Sequence, residues 1–152
     1  MDTLKSIDEM NVLIEINYDR IEGYRAAAAE TDDEDLKTLF LQLADRSGEC
    51  RIKLANEVIS AGGTPSEQTG SNGKFLRAWK TVKLAVTNKD RKAIFNSVEF
   101  GEEAIDDIYN NALISYSDDI NEEQCNLLTG QHSLIKANNE RTKKLNTELL
   151  LA

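Results

Sequence analysis

The sequence predicts an all-α fold: four long helices arranged as two antiparallel hairpins, joined by a long crossover that contains a short helix, all in one domain spanning residues 1–152. Three observations carry this. Apolar residues recur at steps of three and four through four long stretches, the spacing of one helix face. Pro occurs once and aromatic residues make up 6% of the chain, which favours helix over sheet. The segment between the second and third stretches is longer than an up-and-down bundle needs.

Helix one is read from Ile7, Met10, Leu13, Ile14, Asn17, Ile21, Tyr24 and Ala28. Thr31-Asp32-Asp33-Glu34 then has capping-box spacing, with Thr31 as the expected N-cap of helix two and acids at its positive end. The second stripe runs from Leu36 through Phe40, Leu43, Ser47, Cys50 and Leu54 to Ala61, where Gly62-Gly63-Thr64-Pro65 ends it. Residues 66–73 read as a polar loop, and Phe75 to Val86 as a short helix carrying Trp79. Asn88 is the expected cap of helix three, whose stripe is Phe95, Val98, Glu102, Ile105, Tyr109, Ala112 and Leu113. Ser117-Asp118-Asp119 is expected to close helix three and open helix four, with Cys125, Leu128, Gln131, Ile135, Asn138 and Leu145 inward or nearly so. About 12 loop residues at up to ~3.3 Å each, plus a short helix, can cross a helix roughly 43 Å long, so helices two and three are expected to run parallel. Single-crossover bundles of this kind are the ferritin-like arrangement.

Composition bounds the function. The formal net charge of −9 repels phosphate backbones and anionic headgroups, which argues against nucleic-acid and membrane partners. No stretch reaches the roughly 18 apolar residues of a membrane span, and the N-terminus lacks a signal-peptide core, so a cytoplasmic location is expected. Cys50 and Cys125 have no CxxC spacing and read as reduced thiols. One histidine, His132, cannot serve a hydrolase triad, and Gln68 stands where a phosphate loop needs its first glycine.

The hairpins echo each other. A shift of 85 residues lays Met10 on Phe95, Leu13 on Val98, Asn17 on Glu102 and Tyr24 on Tyr109. Each stripe is also interrupted near its middle by polar residues: Asn17, the pair Ser47 and Cys50, Glu102, and Gln131. A polar row across a helical core is where a bundle builds a metal site.

Asn17-x6-Tyr24 and Glu102-x6-Tyr109 look like the two Glu-x6-Tyr helices of the ferritin-like superfamily. The strings IEINYDRIEGYRAAA, AGGTP, FLRAWKTVKLAVTNKDRKAI and EFGEEAIDDIY resemble a bacterial four-helix-bundle family within it, a domain of unknown function, from about Leu4 to Leu145. The resemblance implies a ferritin-like bundle and, for the superfamily, two irons held by a Glu from each of two helices and a Glu-x-x-His from each of the others. Here Asn17 replaces one Glu, Ser47-Gly48-Glu49-Cys50 and Gln131-His132-Ser133-Leu134 replace the Glu-x-x-His turns, and Glu102 alone matches. Such a donor set grips transition metals poorly.

The sequence therefore predicts a noncatalytic bundle with a degenerate diiron site and no cofactor, acting as a stress-related or interaction protein and self-associating. In this reading Glu102 pairs with Asn17, Gln131, Ser47 or a tyrosine hydroxyl in a closed layer that also holds Cys50, Tyr24 and Tyr109, and Glu102→Gln is neutral or stabilising. The alternative is a metal-binding protein or oxidoreductase holding iron, manganese or zinc at a site rebuilt around Glu102 with Cys50, Glu49 or Glu99. A third reading places a small apolar ligand in the core. Phe75 and Trp79 are candidates either to cover the core or to anchor a second copy.

Overall fold

The computed structural model of the chain describes residues 2–68 and 74–151, with the side chains of residues 74–79, 81 and 149–151 outside that description. Five helices follow in order: α1 (Thr3–Glu30), α2 (Glu34–Ser60), α3 (Lys74–Thr87), α4 (Arg91–Ser115) and α5 (Glu122–Leu151). Predicted helices three and four are thus α4 and α5, and the short helix is α3. No strand occurs among the described residues. The side chains of Phe75 and Trp79 lie outside the described residues, so neither role expected of them is addressed.

The helix starts differ from the sequence expectation at three places, and one rule explains all three. The acceptor that sits one residue before the first turn wins. For α2 that is Asp33, which accepts from the amides of Asp35 and Leu36, while Thr31 ends α1 and its hydroxyl accepts from Asp33 N. For α4 it is Asp90, accepting from Ala93 N at 3.1 Å, and Asn88 instead extends the end of α3. For α5 it is Asn121, whose side chain accepts from Gln124 N while the Gln124 side chain accepts from Asn121 N, a reciprocal cap. The Ser117-Asp118-Asp119 run is turn, not cap. Gly62 and Gly63 end α2 as expected. Gly62 has φ 88°, and a Cβ on Gly63 would stand 2.8 Å from a methyl carbon of Ile7.

Charge contacts fix the direction of the helices. Arg91 at the start of α4 lies 3.2 Å from Asp33 and 3.3 Å from Asp35 at the start of α2. The two helices therefore begin at the same end and run the same way, opposite to α1. The chain crosses the bundle between them, with Asn11 of α1 bonding Thr64 O and Ser66 N to hold the beginning of that crossing. α1 packs chiefly on α2, and α4 on both α3 and α5.

The core divides in two. At the end where α1 and α5 begin, Met10, Leu13, Leu54, Val58, Ile105 and Leu128 are fully buried together. At the opposite end Tyr24, Phe40, Leu43 and Phe95 form a second cluster, completed by Val82, Ala85 and Val86 of α3, with Leu145 of α5 only partly buried against it. The rings of Tyr24 and Phe40 stack there at 6.1 Å. Burying each large apolar side chain contributes roughly 1.5–3 kcal/mol, so both halves matter to stability.

Candidate functional site

Between the two apolar halves lies a polar layer. α1 points Asn17, Arg20 and Tyr24 inward, because residues three and four apart share a helix face. α4 answers with Glu102 and Tyr109, and α5 with Gln131. All six are at most 3% exposed, so every polar atom among them needs a partner within the protein.

They supply one another. Arg20 forks onto Glu102, Nη2 donating to Oε1 at 2.5 Å and Nε to Oε2 at 3.2 Å. The Tyr24 hydroxyl donates to Oε2 at 2.8 Å, and Arg20 Nη1 donates to Asn17 Oδ1 at 3.3 Å. Asn17 Nδ2 donates to Leu13 O and to the Tyr109 hydroxyl, which donates to Gln131 Oε1 at 2.7 Å. Gln131 Nε2 closes the chain on the carbonyl of Cys50 at 3.1 Å. Asn17 and Glu102 hold equivalent places in the two hairpins, as do Tyr24 and Tyr109. The bonds cross between them: Tyr24 to Glu102, and Asn17 to Tyr109.

Electrostatics follow from this enclosure. Burial alone would lower the affinity of the Arg20 guanidinium for its proton, but the charge of Glu102, its hydrogen bond to Arg20 and the two tyrosines together outweigh that, so the guanidinium is held charged. Burial and then the neighbouring Glu102 charge push the Tyr24 hydroxyl well above its ordinary 10.0. Burial likewise pushes Tyr109 up, with the bond from Asn17 opposing it, and raises the Cys50 thiol above 9.0.

The structure thus brings Asn17, Glu102, Gln131, Tyr24 and Tyr109 together as the spacing suggested, and corrects the rest. Glu102 pairs with Tyr24 but not directly with Asn17, Gln131 or Ser47. The Ser47 hydroxyl turns back onto Leu43 O of its own helix, and Cys50 contributes its backbone carbonyl only. Arg20, 1% exposed, is the functional residue that sequence reading missed. Its signal is spacing: three after Asn17 and four before Tyr24 on helix one's own stripe, where a buried Glu102 requires a cation. Arg20 also reverses the expectation for Glu102→Gln, which leaves a buried guanidinium without its counter-charge and so destabilises.

Iron, manganese and zinc do not fit this donor set. Both Glu102 oxygens are committed to Arg20 and Tyr24, and a fixed guanidinium charge sits where a metal would have to approach. Among the described residues no group of three or more His, Cys, Asp or Glu side chains could hold an ion. His132 lies between α5 and α4 with Nε2 2.7 Å from Asp106 Oδ1, and neither atom has another polar partner. Cys50 is buried and Cys125 exposed, both free. Among the described residues no helix is long and apolar enough to cross a membrane.

Residues 5–115, reaching from the first turns of α1 to the end of α4, match the family model described as Domain of unknown function (DUF2383). Comparison with curated proteins gives no match.

Proposed function

We propose, on the premise that the chain belongs to the DUF2383 family, that it is a noncatalytic, ferritin-like bundle of the bacterial cytoplasm in which an ion-pair layer stands where a diiron centre would be. Its role is that of a stress-related or interaction protein. The observation that carries this is the Arg20 fork on Glu102: the position that would supply a metal's carboxylate is neutralised from within the fold. The ferritin-like reading is supported by the parallel course of α2 and α4 and by the crossed Tyr24–Glu102 and Tyr109–Asn17 bonds, which relate the two hairpins as repeats.

Self-association belongs to this reading. Leu41, Ile52 and Ile59, 44%, 51% and 60% exposed, recur at steps of eleven and seven, which places them on one face of α2. A second copy seated on that face would remove them from water. Sedimentation velocity of the wild type and of Ile52→Lys checks it: a wild-type dimer that the substitution dissociates is expected.

Elemental analysis of protein purified without chelator tests the metal-free layer. Substoichiometric iron, manganese and zinc are expected, with no rise in Tm when each is added. One or more equivalents retained by the wild type, or a metal-dependent rise in Tm that Glu102→Gln abolishes, overturns the reading.

A further inference from the structure

After Ile135, α5 turns polar toward the bundle: the residues facing inward are Asn138, Asn139 and Thr142, where the first half of the helix presents Leu128 and Ile135. Side chains of this kind give α2 little apolar surface to close against. The two helices stand apart there around a cleft of about 420 Å³, within the range of small-molecule sites. Its floor is apolar, made by Leu39 and Leu43 of α2 and Leu145 of α5. Arg46, Arg141 and Lys144 line it as well, and none of the three makes an ion pair with a described residue.

Two further features single the cleft out. The chain carries a net charge of −9, so three uncompensated cations in one place are against its overall trend. Of the two acids at the cleft, Asp35 is engaged by Arg91 at 3.3 Å and Glu148 is exposed. Asn138 is 7% exposed and lines the cleft, yet its side-chain amide bonds to no described residue. That amide keeps both its donor and its acceptor free for a group placed in the cleft.

We infer that the cleft between α2 and α5 binds a small organic anion, a carboxylate or phosphate monoester joined to a short apolar body. The head meets Arg46, Arg141 and Lys144 through charge-assisted hydrogen bonds, and Asn138 donates or accepts beside it. The body lies on Leu39, Leu43 and Leu145. This goes beyond the proposed function and does not depend on it.

Octanoate, octyl phosphate and octylamine, titrated into 15N-labelled protein, test the assignment. Octanoate or octyl phosphate is expected to shift amide signals of residues 38–46 and 138–145 with a Kd below about 1 mM, and the tighter of the two identifies the head group. Octylamine, with the same body and the opposite charge, is expected to leave those signals in place. The double variant Arg46→Gln/Arg141→Gln, both side chains lying outside the core, is expected to weaken anion binding at least about tenfold with an unchanged helical spectrum. Neither anion binding at the cleft by about 5 mM, octylamine binding as well as the anions, or an unaltered Kd in the variant would each overturn the assignment.

Discussion

The two halves of the core are built from different helices, although the hairpins that flank them echo each other. Where α1 and α5 begin, α5 supplies Leu128 and Ile135, and among the described residues the cluster is drawn from the four long helices and Ile120 of the turn before α5. At the other end Leu145 is what α5 adds among the described residues, and α3 supplies Val82, Ala85 and Val86 on the far side, against α1 and α4. Replacing one helix by another on a different side leaves the α2–α5 seam unfilled. The crossover is therefore core as well as connection, and the cleft is the counterpart of its packing. The polar layer divides the two halves and ties α1 to α4 by side-chain bonds across the centre.

Four outcomes bear on this comparison. The largest concerns the divide itself. Glu102→Ala is expected to cost about 3–5 kcal/mol in denaturant unfolding, since it strands Arg20, while the double variant Arg20→Met/Glu102→Leu recovers most of that loss. A double variant no more stable than Glu102→Ala would mean that the layer's bonds, rather than the isolated charge, hold the halves together. Leu128→Ala is expected to lose about 3 kcal/mol and Val86→Ala about 1.5, the second value following from roughly 0.8 kcal/mol per methylene. An insignificant loss at Val86 would remove α3 from the core of its half.

Alkaline pH gives the third. Tyr24 and Tyr109 hold their protons more tightly folded than unfolded, so the folded state binds more protons above the ordinary tyrosine value of 10.0. Stability is then complete below about pH 10 and falls above it by up to about 1.4 kcal/mol per pH unit for each tyrosine. Tyr109→Phe is expected to flatten the fall of the urea midpoint between pH 10 and 11.5. The smallest effect is kinetic. Amide exchange along α5 is expected to be slower at 128–135 than at 138–145, because the latter residues lack packing on one side.

Much of the fold was legible because it rests on periodicity. The stripes through Leu13, Leu54, Ile105 and Leu128 located the long helices, and five of the six side chains of the polar layer were found as breaks in those stripes or as matched tyrosines within them. What escaped was chemistry that periodicity does not encode. Arg20 has the spacing of a core residue and the charge of a surface one, and only the requirement that Glu102 be neutralised identifies it. Ser47 and Cys50 occupy core positions, but a serine hydroxyl within a helix finds its nearest acceptor one turn back, on Leu43 O. The sequence pointed to neighbours of the true caps Asp33, Asp90 and Asn121 because several acceptors crowd each turn, and backbone geometry chooses among them.

The lone arginine of the layer also bears on which hairpins can pair. The α1–α2 unit carries Arg20 without a buried acid of its own, and the α4–α5 unit carries Glu102 with Ile105 where a second arginine would fall in the repeat. Two copies of the first unit would bury two guanidiniums face to face, and two copies of the second would bury two carboxylates. A fold whose halves echo each other thus discourages like from docking with like, and each half becomes the other's obligatory mate.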